Sequence, residues 1–204
     1  MMNKPQLRPG VQGFTLVELL IAVAVIAIIL VIAAPSFRDM ILMQRLRSIN
    51  AQVVTDMQFA RAEAVSRGTL VRVSFQEPTA AMSCYTIYTS PSNAQQCNCL
   101  LGVGTACPAG ALEIRTVQVP ANLSVTVSVP VTALDQQDFE FAYDPATGGI
   151  YTIPTDGISR PMPRFVVEAY IDGARKLNTV VNGAGRPSVC KPALSTMPEA
   201  ACPP

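Results

Sequence analysis

The chain has 204 residues, of which 50% are hydrophobic and only 14% are charged, against roughly 25% charged in an ordinary soluble domain. Fifteen basic and fourteen acidic side chains give a net charge of +1, so there is no overall basic field for nucleic acid. The sequence contains no histidine, which removes the usual general base and the commonest metal ligand. These features disfavour an enzyme. Any binding that depends on charge must come from a local cluster of charged residues rather than from the net charge.

The N-terminal part of the chain carries an apolar run over residues 14–34, interrupted only by Thr15 and Glu18. At about 1.5 Å per residue, a helix of this length spans the roughly 30 Å hydrocarbon core of a bilayer. The only charges before it are Lys4 and Arg8. The positive-inside rule therefore predicts a single-pass anchor with a cytoplasmic N-terminus.

Three simpler explanations of this run fit less well. A cleavable secretory signal has a shorter apolar stretch, of about 7–15 residues, without a carboxylate near its start. A lipoprotein signal needs a cysteine just after the stretch, and none precedes Cys84. A plain anchor leaves Glu18 unexplained, because an ionised carboxylate at mid-membrane costs on the order of 2.5 kcal/mol and normally marks a partner.

The stretch G-F-T-L-V-E-L-L over residues 13–20, with the apolar run and Pro35 after it, resembles the class III leader and N-terminal helix of type IV pilins and type II secretion pseudopilins. The resemblance implies that a prepilin peptidase cuts after Gly13 and methylates the new N-terminus, Phe14. It makes Glu18 and Pro35 the assembly residues. It also implies an inner-membrane protein with a periplasmic domain, which an assembly platform builds into a filament of pilin subunits.

The chemistry of the new N-terminus agrees with this resemblance. Cleavage leaves a positively charged amine at Phe14 in an apolar helix core, where a carboxylate within about 4–6 Å stabilises both ions. Glu18 can supply that carboxylate from its own or a neighbouring subunit, and it also lies at the positive end of the helix macrodipole. We therefore expect Glu18 to direct self-assembly.

A helical pattern continues after Pro35, which is expected to kink the helix rather than end it. Apolar residues recur at spacings of three and four as far as Gly68, a natural helix stop. This apolar line consists of Leu42, Leu46, Ile49, Val53, Met57, Ala60 and Ala64. Polar residues, Asn50 among them, are expected to lie mostly away from the line.

After Gly68 the pattern changes to short β-rich runs separated by turn signals such as Gly148-Gly149. The predicted strands cover residues 69–76, 85–89, 112–119, 123–129, 139–143, 163–171 and 177–181. Because the amphipathic part of the helix must bury its apolar line, we expect an α+β fold with the helix packed on an antiparallel sheet or sandwich.

The expected organisation has three parts. Residues 1–13 are the leader, residues 14–67 are one long kinked helix that spans the membrane at about 14–34, and residues 68–204 are a β-rich periplasmic or extracellular domain.

The cysteines indicate the redox environment of that domain. All six lie at or beyond Cys84, which is typical of an oxidising compartment. A zinc site usually brings its ligands in C-x2-4-C pairs, and one C-x-C without histidine matches poorly. We expect three disulfides, with Cys190–Cys202 closing a loop worth roughly 3 kcal/mol by chain entropy. The pairing of the others stays open among Cys84, Cys97, Cys99 and Cys107.

Two further motifs resemble the GspH/FimT branch of the family, which includes the FimU-type minor pilins. They are A-R-A-E-A-V-S-R-G over residues 60–68, with a strand directly after it, and G-R-P-S-V-C over residues 185–190. The branch implies a structural minor pilin or pseudopilin near the filament tip. Judged as residues alone, Arg61 and Glu63 are expected on a solvated helix face.

FimT-type members imply a second function, the capture of DNA through a C-terminal G-R-x-R loop. This chain has Gly185-Arg186-Pro187-Ser188 there, so the second arginine is absent. Four basic residues still form a local patch in the sequence, namely Arg175, Lys176, Arg186 and Lys191. We expect them on a solvated turn, with Arg186 held by a carboxylate of the β-domain, and we expect weak DNA binding or none.

No catalytic or cofactor motif is found in the sequence. A Ser-His-Asp arrangement is impossible without histidine, and there is no nucleophile elbow, P-loop or dinucleotide fingerprint. Five acidic residues lack the spacing of a calcium loop and are expected to be surface carboxylates. They are Glu113, Asp135, Asp138, Glu140 and Asp144. We therefore expect neither an enzyme, nor a cofactor, nor a metal site.

Overall fold

The computed structural model describes residues 13–91, 96–130, 139–153 and 159–203, except for the side chains at positions 32, 34 and 35. The long predicted helix is present as α1, Leu16–Arg67. The chain divides between Ile41 and Leu42 into two compact units, so the helix contributes to both. The strands all belong to the second unit. Those in the described residues are β1 Val71–Phe75, β2 Met82–Thr89, β3 Leu112–Pro120, β4 Thr126–Ser128, β5 Glu140–Tyr143, β6 Ile150–Tyr151, β7 Arg164–Tyr170, β8 Lys176–Asn182 and β9 Pro187–Cys190.

All seven predicted strands are present, with one clear error in length. The stretch predicted as a strand over 123–129 forms only β4, because Ala121–Leu123 is a 3-10 turn that ends at Ser124 with a left-handed φ of 57°. Two short strands, β6 and β9, were not predicted. Strand β9 begins with a proline. Proline is tolerated at the first residue of an edge strand, but in a sequence it argues against a strand because it cannot donate a backbone hydrogen bond.

The strands form two antiparallel sheets, in the orders β3-β2-β1-β5-β6 and β4-β7-β8-β9. Both contribute to one core with the second part of α1, whose apolar line is buried from Leu46 to Ala64. Phe165 of β7 joins the sheets, since its ring centroid lies 5.8 Å from that of Phe75 and 4.4 Å from that of Phe141. The α+β fold with a helix packed on antiparallel sheets is confirmed.

The central strands of the five-stranded sheet are buried on both faces, which is unusual for an antiparallel sheet. Every residue of β1 and β5 is buried. The inner face packs on α1. The outer face is covered by described residues of the segment between β2 and β3, which the disulfide Cys84–Cys99 links to β2 and the disulfide Cys97–Cys107 braces internally. This disulfide-bridged segment therefore takes the place of a second layer of secondary structure on the outer face.

The C-terminal loop is closed by a third disulfide, Cys190–Cys202. Inside this loop Met197 is buried in the core. The Glu199 carboxylate accepts a hydrogen bond of 2.9 Å from Arg47 Nε on α1. The expectation of disulfides is confirmed, and the last of them holds the chain end against the helix.

Two polar side chains of α1 are buried against the sheets. The Asn50 Oδ1 atom accepts a hydrogen bond from Thr179 Oγ1 at 3.0 Å, so the expectation that Asn50 lies away from the packed side is wrong. Asp56 is 1% exposed, accepts a 2.6 Å hydrogen bond from the Tyr85 hydroxyl and pairs with Arg115. Burial, reinforced by the Asp56 charge, raises the pKa of Tyr85, which keeps the hydroxyl a donor. Helical spacing could not reveal either contact because both partners are distant in sequence.

Candidate assembly site

The predicted cleavage point lies immediately before the start of α1. Gly13 is outside the helix, and no atom of the described residues beyond its chain neighbours lies within 4 Å of the position that a Cβ would take. Phe14 is 78% exposed. None of the residues described from position 13 onward therefore blocks the peptide bond between Gly13 and Phe14 from an approaching protease.

Thr15 caps the helix. Its Oγ1 atom accepts a hydrogen bond from the backbone N–H of Glu18 at 3.2 Å, and its carbonyl accepts one from Leu19 at 3.2 Å. The pattern T-x-x-E is that of a capping box, which signals a helix start in the sequence itself. Because the cap engages the backbone of Glu18, it leaves the exposed carboxylate of that residue for other contacts.

The helix of the first unit exposes an apolar surface. Every large aliphatic side chain from Leu16 to Val31 is between 49% and 75% exposed. An exposed apolar surface of this extent is far larger than the apolar patches that soluble monomers expose to water. No single described helix meets the length and hydropathy criteria for a membrane span, whereas the bent pair Leu16–Val31 and Ser36–Arg67 meets them together. Position 35 lies at the break, and its side chain is not described, so the role of Pro35 stays a prediction.

The four basic residues proposed for DNA do not form one cluster. Arg175 and Lys176 lie where β8 begins, and Lys191 lies at the same end because Cys190 pairs with Asn178. Arg186 lies in the turn at the other end of β8, about 20 Å away at roughly 3.3 Å per residue. Sequence proximity misled here because an antiparallel hairpin separates its turn from its ends.

Two of these four cations are also paired. Arg175 forms hydrogen bonds with the Asp172 carboxylate, which lower the pKa of Asp172, and Lys176 Nζ lies 3.1 Å from Glu168. Arg186 is exposed, and no carboxylate of the described residues forms an ion pair with it. The expected carboxylate partner of Arg186 is thus not found in the part of the chain that the structure describes.

Arg61 and Glu63 differ in their surroundings, although both were expected to be solvated. Arg61 is half-buried, and its Nε atom donates a 3.0 Å hydrogen bond to the Gly148 carbonyl. Glu63 forms an ion pair with Arg67 one turn further along the helix. The prediction was wrong for Arg61, because the turn between β5 and β6 packs against this part of α1.

The prediction of surface carboxylates was also wrong for Glu140. This residue is 3% exposed and accepts hydrogen bonds from the Tyr88 hydroxyl and from Gln96 Nε2, the latter at 2.9 Å. It lies on the covered outer face of the five-stranded sheet. Burial, together with the Glu140 charge, raises the pKa of Tyr88, so the hydroxyl remains protonated as a donor.

Of the other acidic residues, Glu113 and Asp144 accept hydrogen bonds from nearby loop and strand residues. Burial opposes ionisation of Glu113, but hydrogen bonds from Thr116 and from the Gly104 and Ala106 amides hold its pKa below the usual value. Asp144 accepts from the amide and hydroxyl of Thr147. Asp135 and Asp138 lie outside the described residues. Within the described ranges, no group of three or more acidic or cysteine side chains is arranged to hold a metal ion.

Comparisons with known proteins agree with this arrangement. Residues 8–34 match the family model described as the prokaryotic N-terminal methylation motif, and residues 51–185 match the model described as type II transport protein GspH. Comparisons with curated proteins and with solved structures found no significant match. The methylation motif implies an N-terminal membrane anchor followed by a soluble C-terminal domain. Since the second model covers most of the chain, this protein belongs to the GspH family, within the type IV pilin and type II secretion pseudopilin superfamily.

Proposed function

We propose that this minor pilin or pseudopilin is cut after Gly13, methylated on Phe14 and assembled at or near the tip of a type IV pilus or type II secretion pseudopilus. The observation that carries the proposal is the start of α1. An accessible Gly13–Phe14 bond, a capped first turn and an exposed Glu18 precede a helix surface whose large aliphatic side chains are 49% to 75% exposed. Each feature is compatible with a helix that packs against the helices of other subunits.

The assembly step follows from electrostatics. In the membrane the new Phe14 amine and the Glu18 carboxylate are each costly alone and stabilise each other when paired. A subunit that meets the amine of its neighbour with Glu18 satisfies both charges as the apolar helices pack. The partners are then other pilin subunits, the prepilin peptidase that cuts the leader, and the assembly platform of the inner membrane.

Processing can be tested by mass. Intact-mass measurement of the chain extracted from membranes should find a polypeptide that begins at Phe14 and carries one added methyl group. Loss of Lys4 and Arg8 leaves thirteen basic against fourteen acidic side chains, so the mature protein should also migrate as slightly acidic. A chain that retains Met1, or one cut within the apolar run, would contradict the proposal. Immunogold labelling at filament ends rather than along their length tests the tip position.

DNA capture is the alternative function, and we expect it to be weak or absent. Four independent phosphate contacts would give a salt slope of only about −3.6, and the basic residues here are separated and partly paired. A mobility-shift titration of the detergent-solubilised chain at physiological salt should show no micromolar complex. A micromolar complex that disappears in Arg186→Ala would place DNA capture ahead of a purely structural role.

A further inference from the structure

A groove of about 730 Å³ runs between the last turns of α1 and the turn that joins β8 to β9. The residues that matter for its chemistry are Arg61, Ala62 and Val65 on the helix side and Gly185, Arg186 and Pro187 on the turn side. Val65 is 56% exposed, although it lies on the folded second unit. The groove therefore combines an apolar floor with two guanidinium groups.

The described residues do not neutralise the positive charge of this groove. Among the described residues, no acidic side chain lines it, and none of their carboxylates forms an ion pair with Arg61 or Arg186. The neighbouring Arg67 differs, since it is paired with Glu63. Two unpaired cations beside apolar surface are complementary to a carboxylate that is flanked by aliphatic side chains.

The two turns beside the groove are packed closely against each other. Gly185 has a φ of +75°, and a Cβ on it would lie 1.9 Å from the Gly148 carbonyl oxygen, so the two turns are in direct contact. The same carbonyl accepts the hydrogen bond from Arg61 Nε, which orients that guanidinium. A site formed before binding loses less conformational entropy when a ligand enters.

We propose that this groove docks an acidic segment of a neighbouring filament subunit, with an Asp or Glu between Arg61 and Arg186 and aliphatic residues on Val65 and Pro187. The inference takes only the identity of the partner from the proposed function. Nucleic acid fits less well, because two cations would give a salt slope of only about −1.8 and the apolar floor would stay uncovered.

The test uses the full chain in detergent and a fluorescein-labelled peptide, acetyl-Leu-Asp-Val-Glu-Leu-amide. Fluorescence anisotropy should show saturable binding to the wild type. Affinity should fall by about tenfold or more for the same peptide with Asn and Gln in place of its acids, and likewise for the Arg186→Glu chain, because an attractive contact becomes repulsive. The matched control is Lys191→Gln, which removes a cation outside the groove and should leave binding unchanged.

Three results would overturn this inference. They are equal binding of the neutral peptide, unchanged affinity of Arg186→Glu, and failure to saturate at about 1 mM peptide. Displacement of the peptide by a 20-base-pair duplex of higher affinity would assign the groove to nucleic acid instead. The Glu18→Val chain should bind the peptide like the wild type, so a failure of groove binding can be distinguished from a failure of the assembly proposal.

Discussion

Replacing Glu18 by valine should lower the amount of this chain in sheared filaments by about tenfold or more, while membrane insertion is unchanged or improved. Insertion benefits because a charge is removed from the membrane segment. Incorporation suffers because the Phe14 amine of the adjoining subunit loses its partner, and an unpaired buried charge costs about 3–5 kcal/mol. The Thr15 cap should remain, since Thr15 Oγ1 is bonded to the backbone N–H of Glu18 and not to its side chain.

The measurement compares the sheared-filament fraction with the membrane fraction in cells that also make the other filament subunits. Glu18→Asp keeps the carboxylate and should retain part of the incorporation. Glu63→Gln removes a carboxylate from the same helix in the second unit and serves as the matched control. Recovery of Glu18→Val in filaments at the wild-type level would show that the pairing role is wrong.

The second large effect is expected for Gly185→Ala, which should lower stability by about 3 kcal/mol or more, or prevent folding. The left-handed φ of +75° costs an alanine about 1–2 kcal/mol. In addition, the new Cβ would lie 1.9 Å from the Gly148 carbonyl oxygen. The two turns must then separate, and the Arg61 hydrogen bond to the same carbonyl must weaken.

Two other glycines separate these contributions. Gly68 has a φ of +64° but open space around it, and Gly173 has neither a left-handed φ nor a neighbour within 4 Å. In thermal unfolding of the full chain in detergent, Gly68→Ala should shift the midpoint by about 3 °C and Gly173→Ala by less. The shift for Gly185→Ala should be about 10 °C or more. Equal shifts at positions 68 and 185 would show that the contact with Gly148 costs nothing.

The apolar line of α1 shows what local sequence can predict. Spacings of three and four depend only on helix geometry, and the line from Leu46 to Ala64 is buried as expected. The leader motif, Glu18 and the strand pattern are likewise contained in short stretches, so the family and the α+β fold could be inferred from them. The capping signal of Thr15 is equally local, because T-x-x-E lies within four consecutive residues.

What the sequence determined by itself is therefore local: the anchor, the start and length of the helix, most strands and the use of cysteines as disulfides. Only the tertiary structure decided which polar groups are buried and which basic residues lie together. Glu140 is buried because a segment tied by two disulfides covers the outer face of its sheet. Arg61 lines a groove together with Arg186 because two distant turns meet at Gly148 and Gly185. These outcomes depend on contacts between residues far apart in the chain, and no periodicity within a single element records such contacts.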